Sequence, residues 1–291
     1  MSSNEVDPTF LTDRYGYGRG PSLAMCTVFV IFFSLSTLAH LTQLLIARRQ
    51  WYMAVMLCGG IMEILGWAGR LAGHSDAGAE DPYVMQLVCL VIAPTFYSAA
   101  VYGAGGLILQ EVAARRLRIS PKWFKITFVV VDVVSLLIQA AGGGIAGMAE
   151  GNVHQVEQGS HVMLAGIIAQ LVVMVVFLAY LIVWGLFSRS ELSKAGGRMQ
   201  LMYFALVLTS IAIIFRGGFR TAELNQGWRG KLATTEKDIL FDAIPVLLAT
   251  LILNFVHPHW FLPLSSSSAR SSSDNPALPS SVHDEKHPQR K

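Results

Sequence analysis

Gly59-Gly60-Ile61-Met62-Glu63-Ile64-Leu65-Gly66-Trp67-Ala68-Gly69-Arg70 lies inside an apolar run from Trp51 to Gly73. A glutamate and an arginine in a segment of membrane length are costly unless the interior of a helix bundle receives them. Glu63 and Arg70 are seven positions apart, two helical turns, and Gly59 and Gly66 share their stripe. One helix face therefore carries charge flanked by residues that let a neighbour approach closely. That face must look inward, where it either locks helices together or lines a polar pocket.

The whole chain has the same character. It is 53% hydrophobic and 14% charged with mean hydropathy +0.49, whereas about a quarter of an ordinary soluble domain is charged. A bilayer core of about 30 Å needs about 20 apolar residues per helix. Such runs fall at Pro21–Ala47, Trp51–Gly73, Tyr83–Val112, Phe124–Met148, Ser160–Phe187, Met199–Gly218 and Ile239–Leu262. The expected fold is an all-α membrane protein, a seven-transmembrane helix bundle in the plasma membrane or an endomembrane.

Three parts follow: an N-terminal segment 1–20, a seven-span domain 21–263 and a tail 264–291. The tail is rich in serine, contains Pro276, Pro279 and Pro288, and reads as disordered. Phosphorylation of Ser265–Ser268 and Ser271–Ser273 would add negative charge beside a basic face, which suggests a cytoplasmic regulator or kinase as a partner. Met1 to Gly20 is polar and precedes an apolar run too long for a signal-peptide core, so no cleaved signal is expected.

Orientation follows the excess of Lys and Arg in cytoplasmic loops. Arg48 and Arg49, then Arg115, Arg116, Arg118, Lys122 and Lys125, then Arg189, Lys194 and Arg198 fall on one side. The loops carrying His74, Asp76, Glu80 and Asp81, and Glu150, His154 and Glu157, fall on the other. The N-terminus is expected outside and the C-terminus in the cytoplasm, against a local bias from Arg220, Arg229, Lys231 and Lys237. Cys26, Cys58 and Cys89 all lie within predicted spans and are expected to fill space rather than to pair. The net charge of +3 suits anionic lipid headgroups rather than nucleic acid.

The fourth span repeats the logic of the second. Asp132, Ser135 and Gln139 stand at i, i+3 and i+7, followed by Gly142, Gly143, Gly144 and Gly147. The glycines are expected to pack a neighbour through Gly143-x-x-x-Gly147. Asp132 is either protonated, paired or in a wet cavity. Arg216, Arg220 and Glu223 share a face at the outer end of the sixth span, and Asp242 near the outer end of the seventh is placed to join them with Glu63 and Arg70. This set is either a structural ion network or an outward-opening vestibule. Pro94 and Pro245 each remove an intrahelical hydrogen bond. Tyr97 and Tyr102, near Pro94, offer hydroxyls to a headgroup or simply pack.

Absences narrow the class. There is no phosphate-binding loop of the Gly-x-x-x-x-Gly-Lys-Ser/Thr type, so ATP is not hydrolysed in the manner of a primary pump. The seventh span has no lysine for a retinal Schiff base. A zinc-dependent lipid hydrolase would draw on His40, Asp132, His257 and His259, which disagree in predicted depth.

The motifs Tyr15-Gly16-Tyr17 with Pro21-Ser22-Leu23, Glu63-Ile64-Leu65-Gly66-Trp67-Ala68-Gly69-Arg70, and Ala93-Pro94-Thr95-Phe96 with Tyr102 resemble the fungal RTA-like family of lipid-translocating exporters. Asp132-Val133-Val134-Ser135 with Gln139 and Gly142-Gly143-Gly144, Phe215-Arg216 with Phe219-Arg220 and Glu223, then Gly227, Glu236, Asp242 and His257-Pro258 continue in that family's order. The resemblance spans Tyr15 to Pro263. Trp67 departs from the family's usual tyrosine, and Gly217-Gly218 stands between the two arginines, where a bend is expected.

The resemblance implies seven spans and movement of sphingoid long-chain bases or related toxic amphipathic compounds, with a part in lipid homeostasis and resistance. Membrane lipids and amphipathic small molecules are the expected partners, with no nucleic acid and no cofactor, and no enzyme activity is expected. Candidate substrate-binding residues are Glu63, Arg70, Tyr97, Asp132, Gln139, Arg216, Arg220, Glu223 and Asp242. The alternative is a seven-helix sensor of lipid asymmetry or stress, with the zinc hydrolase third.

Overall fold

The computed structural model describes residues 21–47, 53–75, 80–112, 121–148, 153–225 and 236–261. The Tyr15–Tyr17 motif, the basic residues at 48–49 and 115–118, Gly227, Arg229 and Lys231, and the tail from Ser265 lie outside the described residues. Within them the elements are all helical: α1 (Leu23–Ile46), α2 (Ala54–Ser75), α3 (Glu80–Val112), α4 (Pro121–Gly147), α5 (Val153–Phe187), α6 (Arg189–Lys194), α7 (Gly197–Asn225), α8 (Glu236–Phe255) and α9 (Pro258–Phe261).

Six of these helices are long and apolar enough to cross a membrane, and a shorter apolar helix, Ile239–Phe255, supplies the seventh span. The protein is an integral membrane protein. Several of its helices, α3, α5 and α7 among them, extend beyond the predicted runs. With 33 and 35 residues, α3 and α5 are about 50 Å long at 1.5 Å per residue, so their polar ends leave the apolar layer. The seventh run is divided at Val256-His257, because Pro258 has no N–H to continue the helical ladder. No break interrupts α7 at Gly217-Gly218, where Thr221 Oγ1 donates to the Gly217 carbonyl at 2.8 Å. The short α6 leads into α7 through Gly196, whose φ of +93° suits a residue without Cβ.

Around α3 the packing closes a ring. α3 rests on α2, α4 and α7; α4 packs on α5, α5 on α7, α7 on α8, α8 on α1 and α1 on α2. The core aromatics occupy two places. Phe29 stacks on Trp67 with centroids 4.4 Å apart, and Tyr102, Phe128 and Phe177 meet edge to face or tilted. Outward-facing positions such as Leu35, Val133, Val176 and Leu208 are exposed, as expected where lipid rather than water is the surrounding solvent.

Glycine decides where helices touch. A Cβ on Gly59 would lie 2.7 Å from the Tyr97 ring, and one on Gly66 would lie 2.5 Å from Leu90. The stripe read from Glu63 and Arg70 is therefore the α2–α3 contact face, with both charged residues buried. Between α4 and α5 the expectation needs correction. Gly142, Gly159 and Gly166 make the close approach, whereas Gly143 meets only Met163 Sδ at 3.9 Å and Gly144 meets nothing. The cysteines are free, with Cys26 and Cys89 buried and Cys58 exposed.

Candidate functional site

The first polar centre joins α2, α3, α7 and α8 near their predicted outer ends. Arg216 and Arg220, one helical turn apart on α7, reach Asp242 on α8. Arg220 makes a fork, Nε to Oδ1 at 3.0 Å and Nη2 to Oδ2 at 2.7 Å, and its Nη1 donates to Glu223 at 3.0 Å. Arg216 Nε lies 3.0 Å from Asp242 Oδ1, but its N–H is not aligned for a hydrogen bond. Its Nη2 donates instead to the Leu90 carbonyl. That acceptor is free because Pro94, four residues on, has no N–H to offer.

Arg70 is buried and acts electrostatically on Asp242. Glu63 is 2% exposed. It faces Arg216 and Arg220 across the centre, yet among the described residues it forms no ion pair, and its Oε1 lacks a hydrogen-bond partner. The expected pairing of Glu63 is thus long-range, since its carboxylate makes no direct contact with an arginine. The Tyr97 hydroxyl is also buried without a partner, and Trp67 Nε1 approaches Glu63 without an aligned hydrogen bond.

The second centre lies between α3 and α4. Asp132, Ser135 and Gln139 are all buried, so the face read from their spacing looks inward. Tyr102 Oη donates to Asp132 Oδ2 at 3.1 Å, while Asp132 Oδ1 has no partner. Gln139 Nε2 donates to Gln170 Oε1 at 3.2 Å, and Gln170 Nε2 donates to Thr95 Oγ1 at 3.0 Å. Ser135 Oγ returns its proton to the Val131 carbonyl at 2.9 Å, which leaves its lone pairs free to accept.

A cavity of about 30 Å³ separates the centres, lined among others by Pro94, Gln139, Gln170, Arg216, Gly217 and Arg220. That is room for roughly two waters. Gln170, which lines the cavity, and Leu90, which accepts from Arg216, are not singled out by the sequence reading. Gln170 is the lone polar side chain between Met163 and Tyr180, which is the signal that pointed to it. Leu90 contributes only a carbonyl, detectable from Pro94 at i+4.

A third polar patch ties α1 to the C-terminal end of α8. Gln43 Nε2 donates to the Asn254 carbonyl at 2.7 Å, and Asn254 Nδ2 donates to Ser36 Oγ at 2.6 Å. His40 and His257 are buried nearby. Asp132 does not join them, and among the described residues no group of three His, Cys, Asp or Glu is placed to hold a metal ion.

The sequence profile of the family described as RTA1 like protein matches residues 56–265, well over half of the chain and every charged position of both centres. The chain belongs to the RTA1-like family. Among curated relatives in Saccharomyces cerevisiae, the sphingoid long-chain base transporter RSB1 is 30% identical over 281 residues, covering 84% of this chain and 73% of the relative. Protein RTA1 is 32% identical, covering 69% of this chain and 63% of its own, and Protein RTM1 is 34% identical, covering 67% and 63%. No solved structure matches the chain. This RTA1-like bundle therefore has two buried polar centres, one made of opposed charges and one built around a lone carboxylate.

Proposed function

We propose that the protein moves an amphipathic cation, a lipid with an ammonium head of the sphingoid long-chain base type, across the bilayer, with Asp132 receiving the head. One observation carries this reading. Asp242 and Glu223 are engaged by arginines and Glu63, though in no ion pair, faces Arg216 and Arg220 across the first centre, whereas Asp132, equally buried, has no cation facing it and only the Tyr102 hydroxyl as a described partner. An ammonium has three donors and no acceptor. Asp132 Oδ1 and the hydroxyls of Ser98 and Ser135 supply acceptors for it in a region of low dielectric, where the attraction is strong.

The relative RSB1, named as a sphingoid long-chain base transporter, supports the same substrate class. In this reading Glu63, Arg70, Tyr97, Arg216, Arg220, Glu223 and Asp242 form a polar vestibule, Gln139 links it to Asp132, and the lipid tail stays in the bilayer. The protein acts as a carrier rather than an enzyme, and its action lowers the load of membrane-active cations.

Asp132→Asn tests the reading, because it keeps shape and hydrogen bonding while deleting the charge. Reconstituted in liposomes, the parent protein speeds transfer of a labelled sphingoid base between leaflets, and the Asn variant loses at least a tenfold part of that rate with unchanged thermal unfolding. Binding without flux in the parent would favour a sensor. A folded Asn variant that transports as well as the parent removes Asp132 from the site.

A further inference from the structure

α3 and α4 run antiparallel, and their polar residues meet in register. Thr95, Ser98 and Tyr102 repeat the i, i+3, i+7 spacing of Asp132, Ser135 and Gln139. Tyr102 is bonded to Asp132 at one end, and Thr95 is joined to Gln139 through the Gln170 amide at the other. Ser98 and Ser135 occupy the middle rung. All six are buried. The Ser98 hydroxyl approaches Tyr102 without an aligned hydrogen bond, and both Ser98 Oγ and Asp132 Oδ1 are left without partners. From Asp132 to Gln139 the strip is about 10 Å long at the helical rise. It ends at the cavity beside Arg216 and Arg220.

A strip of acceptors and hydroxyls with a water-sized cavity at one end and a lone carboxyl at the other is bonded between helices only at its two ends. Its middle rung, Ser98 and Ser135, contributes no hydrogen bond between α3 and α4. Unsatisfied buried polar atoms are costly, and their concentration along one line marks a path that water or a ligand completes.

We propose that transport is an exchange of the cation against a proton, with Asp132 as the single carboxyl that either occupies in turn and the α3–α4 strip as the proton's way to the outer cavity. The inference rests on the reading of Asp132 given above. An isolated carboxylate inside the bundle is neutralised by whichever positive partner is present. With no cation bound it carries a proton. When an ammonium arrives, the O–H bond breaks, the carboxylate pairs with the ammonium, and the proton is released: COOH + RNH3+ gives COO−·RNH3+ + H+. The charge of the site is the same before and after.

The surroundings leave Asp132 free to act in this way. The helices packed against α4 are α3 and α5. α3 faces the carboxyl with Tyr102, a hydrogen-bond donor, and α5 brings Phe177 against Tyr102. At the far end Arg216 and Arg220 line the cavity and pair with Glu223 and Asp242, with Arg70 and Glu63 buried in the same centre, so a departing proton meets cationic and carboxyl side chains in equal number.

Titration calorimetry of the purified full chain tests this. Binding of sphinganine is measured in two buffers of different ionisation enthalpy at one pH. The expected result is a heat that differs between buffers in proportion to about one proton released per molecule bound. Asp132→Asn is expected to abolish the buffer dependence, and Asp132→Glu to retain it. In liposomes an imposed proton gradient is expected to drive several-fold accumulation of the base against the proton flow. Gln139→Leu and Gln170→Leu are expected to slow that exchange several-fold.

Binding and flux with no buffer dependence and no response to the gradient would overturn the exchange and leave the transport reading standing. Proton release that persists in the Asn variant would also overturn it. Absence of binding and flux in the parent would overturn the transport reading itself.

Discussion

The Arg216 guanidinium donates to the Leu90 carbonyl, the acceptor that Pro94 leaves without its helical donor. A proline inside a membrane helix is tolerated when a neighbour satisfies the freed carbonyl. Here a charged donor on α7 does so while its Nε stands 3.0 Å from Asp242. The irregularity of α3 and the ion network of α7 and α8 are one construction.

The two substitutions that touch this construction should therefore not add. Arg216→Leu removes one partner of a buried pair and is expected to cost about 3 kcal/mol. Pro94→Ala returns an N–H to Leu90 and competes with Arg216 for the carbonyl. The double variant is expected to be less destabilised than the sum of the singles by about 1 kcal/mol, read from thermal or denaturant unfolding in detergent. Strict additivity would separate the two features.

Arg220 holds both oxygens of Asp242, a geometry that a lysine does not reproduce. Arg220→Lys is expected to cost about 2 kcal/mol, close to Arg220→Gln. Glu223→Gln, which loses only a partner three residues away on the same helix, is expected to cost under about 1 kcal/mol. Equal losses for Asp242→Asn and Glu223→Gln would contradict this ranking.

The glycines of α4 and α5 should divide sharply. A Cβ at Gly142 would meet the backbone of Met163 and lie 2.6 Å from the Gly159 carbonyl, and one at Gly166 would lie 2.7 Å from the Ser135 carbonyl. Alanine at either forces α4 and α5 apart and is expected to destabilise by about 2 kcal/mol. Gly144→Ala, with nothing within 4 Å, is expected to be neutral or to stabilise by about 0.5 kcal/mol. Unfolding of the three variants side by side decides.

Cysteine labelling offers a quick check of which faces meet lipid. A small membrane-permeant maleimide is expected to react with Cys58 faster than with the buried Cys26 and Cys89. Comparable rates at all three would mean that α2 is rotated from the orientation described.

Helix number, the inward stripe of Glu63 and Arg70, and the buried face of Asp132, Ser135 and Gln139 were legible because a helix repeats every 3.6 residues and charge is expensive in lipid. What stayed illegible was register between helices. Periodicity says that Gln139 faces inward, but not that Gln170 of α5 will bridge it to Thr95 of α3. It marks four glycines together, but not that Gly142 alone of the first three makes the close contact. Nor does it show that Glu63 stops short of the arginines while Asp242 reaches both. The break before Pro258 was written in the sequence and was read through, since the apolar run continues past it.

The charges that pair directly in the first centre sum to zero: Arg216 and Arg220 against Glu223 and Asp242. A membrane potential does work only on net charge displaced through it, about 2.3 kcal/mol per elementary charge for 100 mV. A network so balanced can shift as a unit within the bilayer and the electric field neither drives nor resists it. A neutral Asp132, whether it holds a proton or an ammonium, has the same property. Depolarising the membrane should therefore leave this protein's conformational equilibrium where it was, in contrast to a bundle whose arginines outnumber their partners.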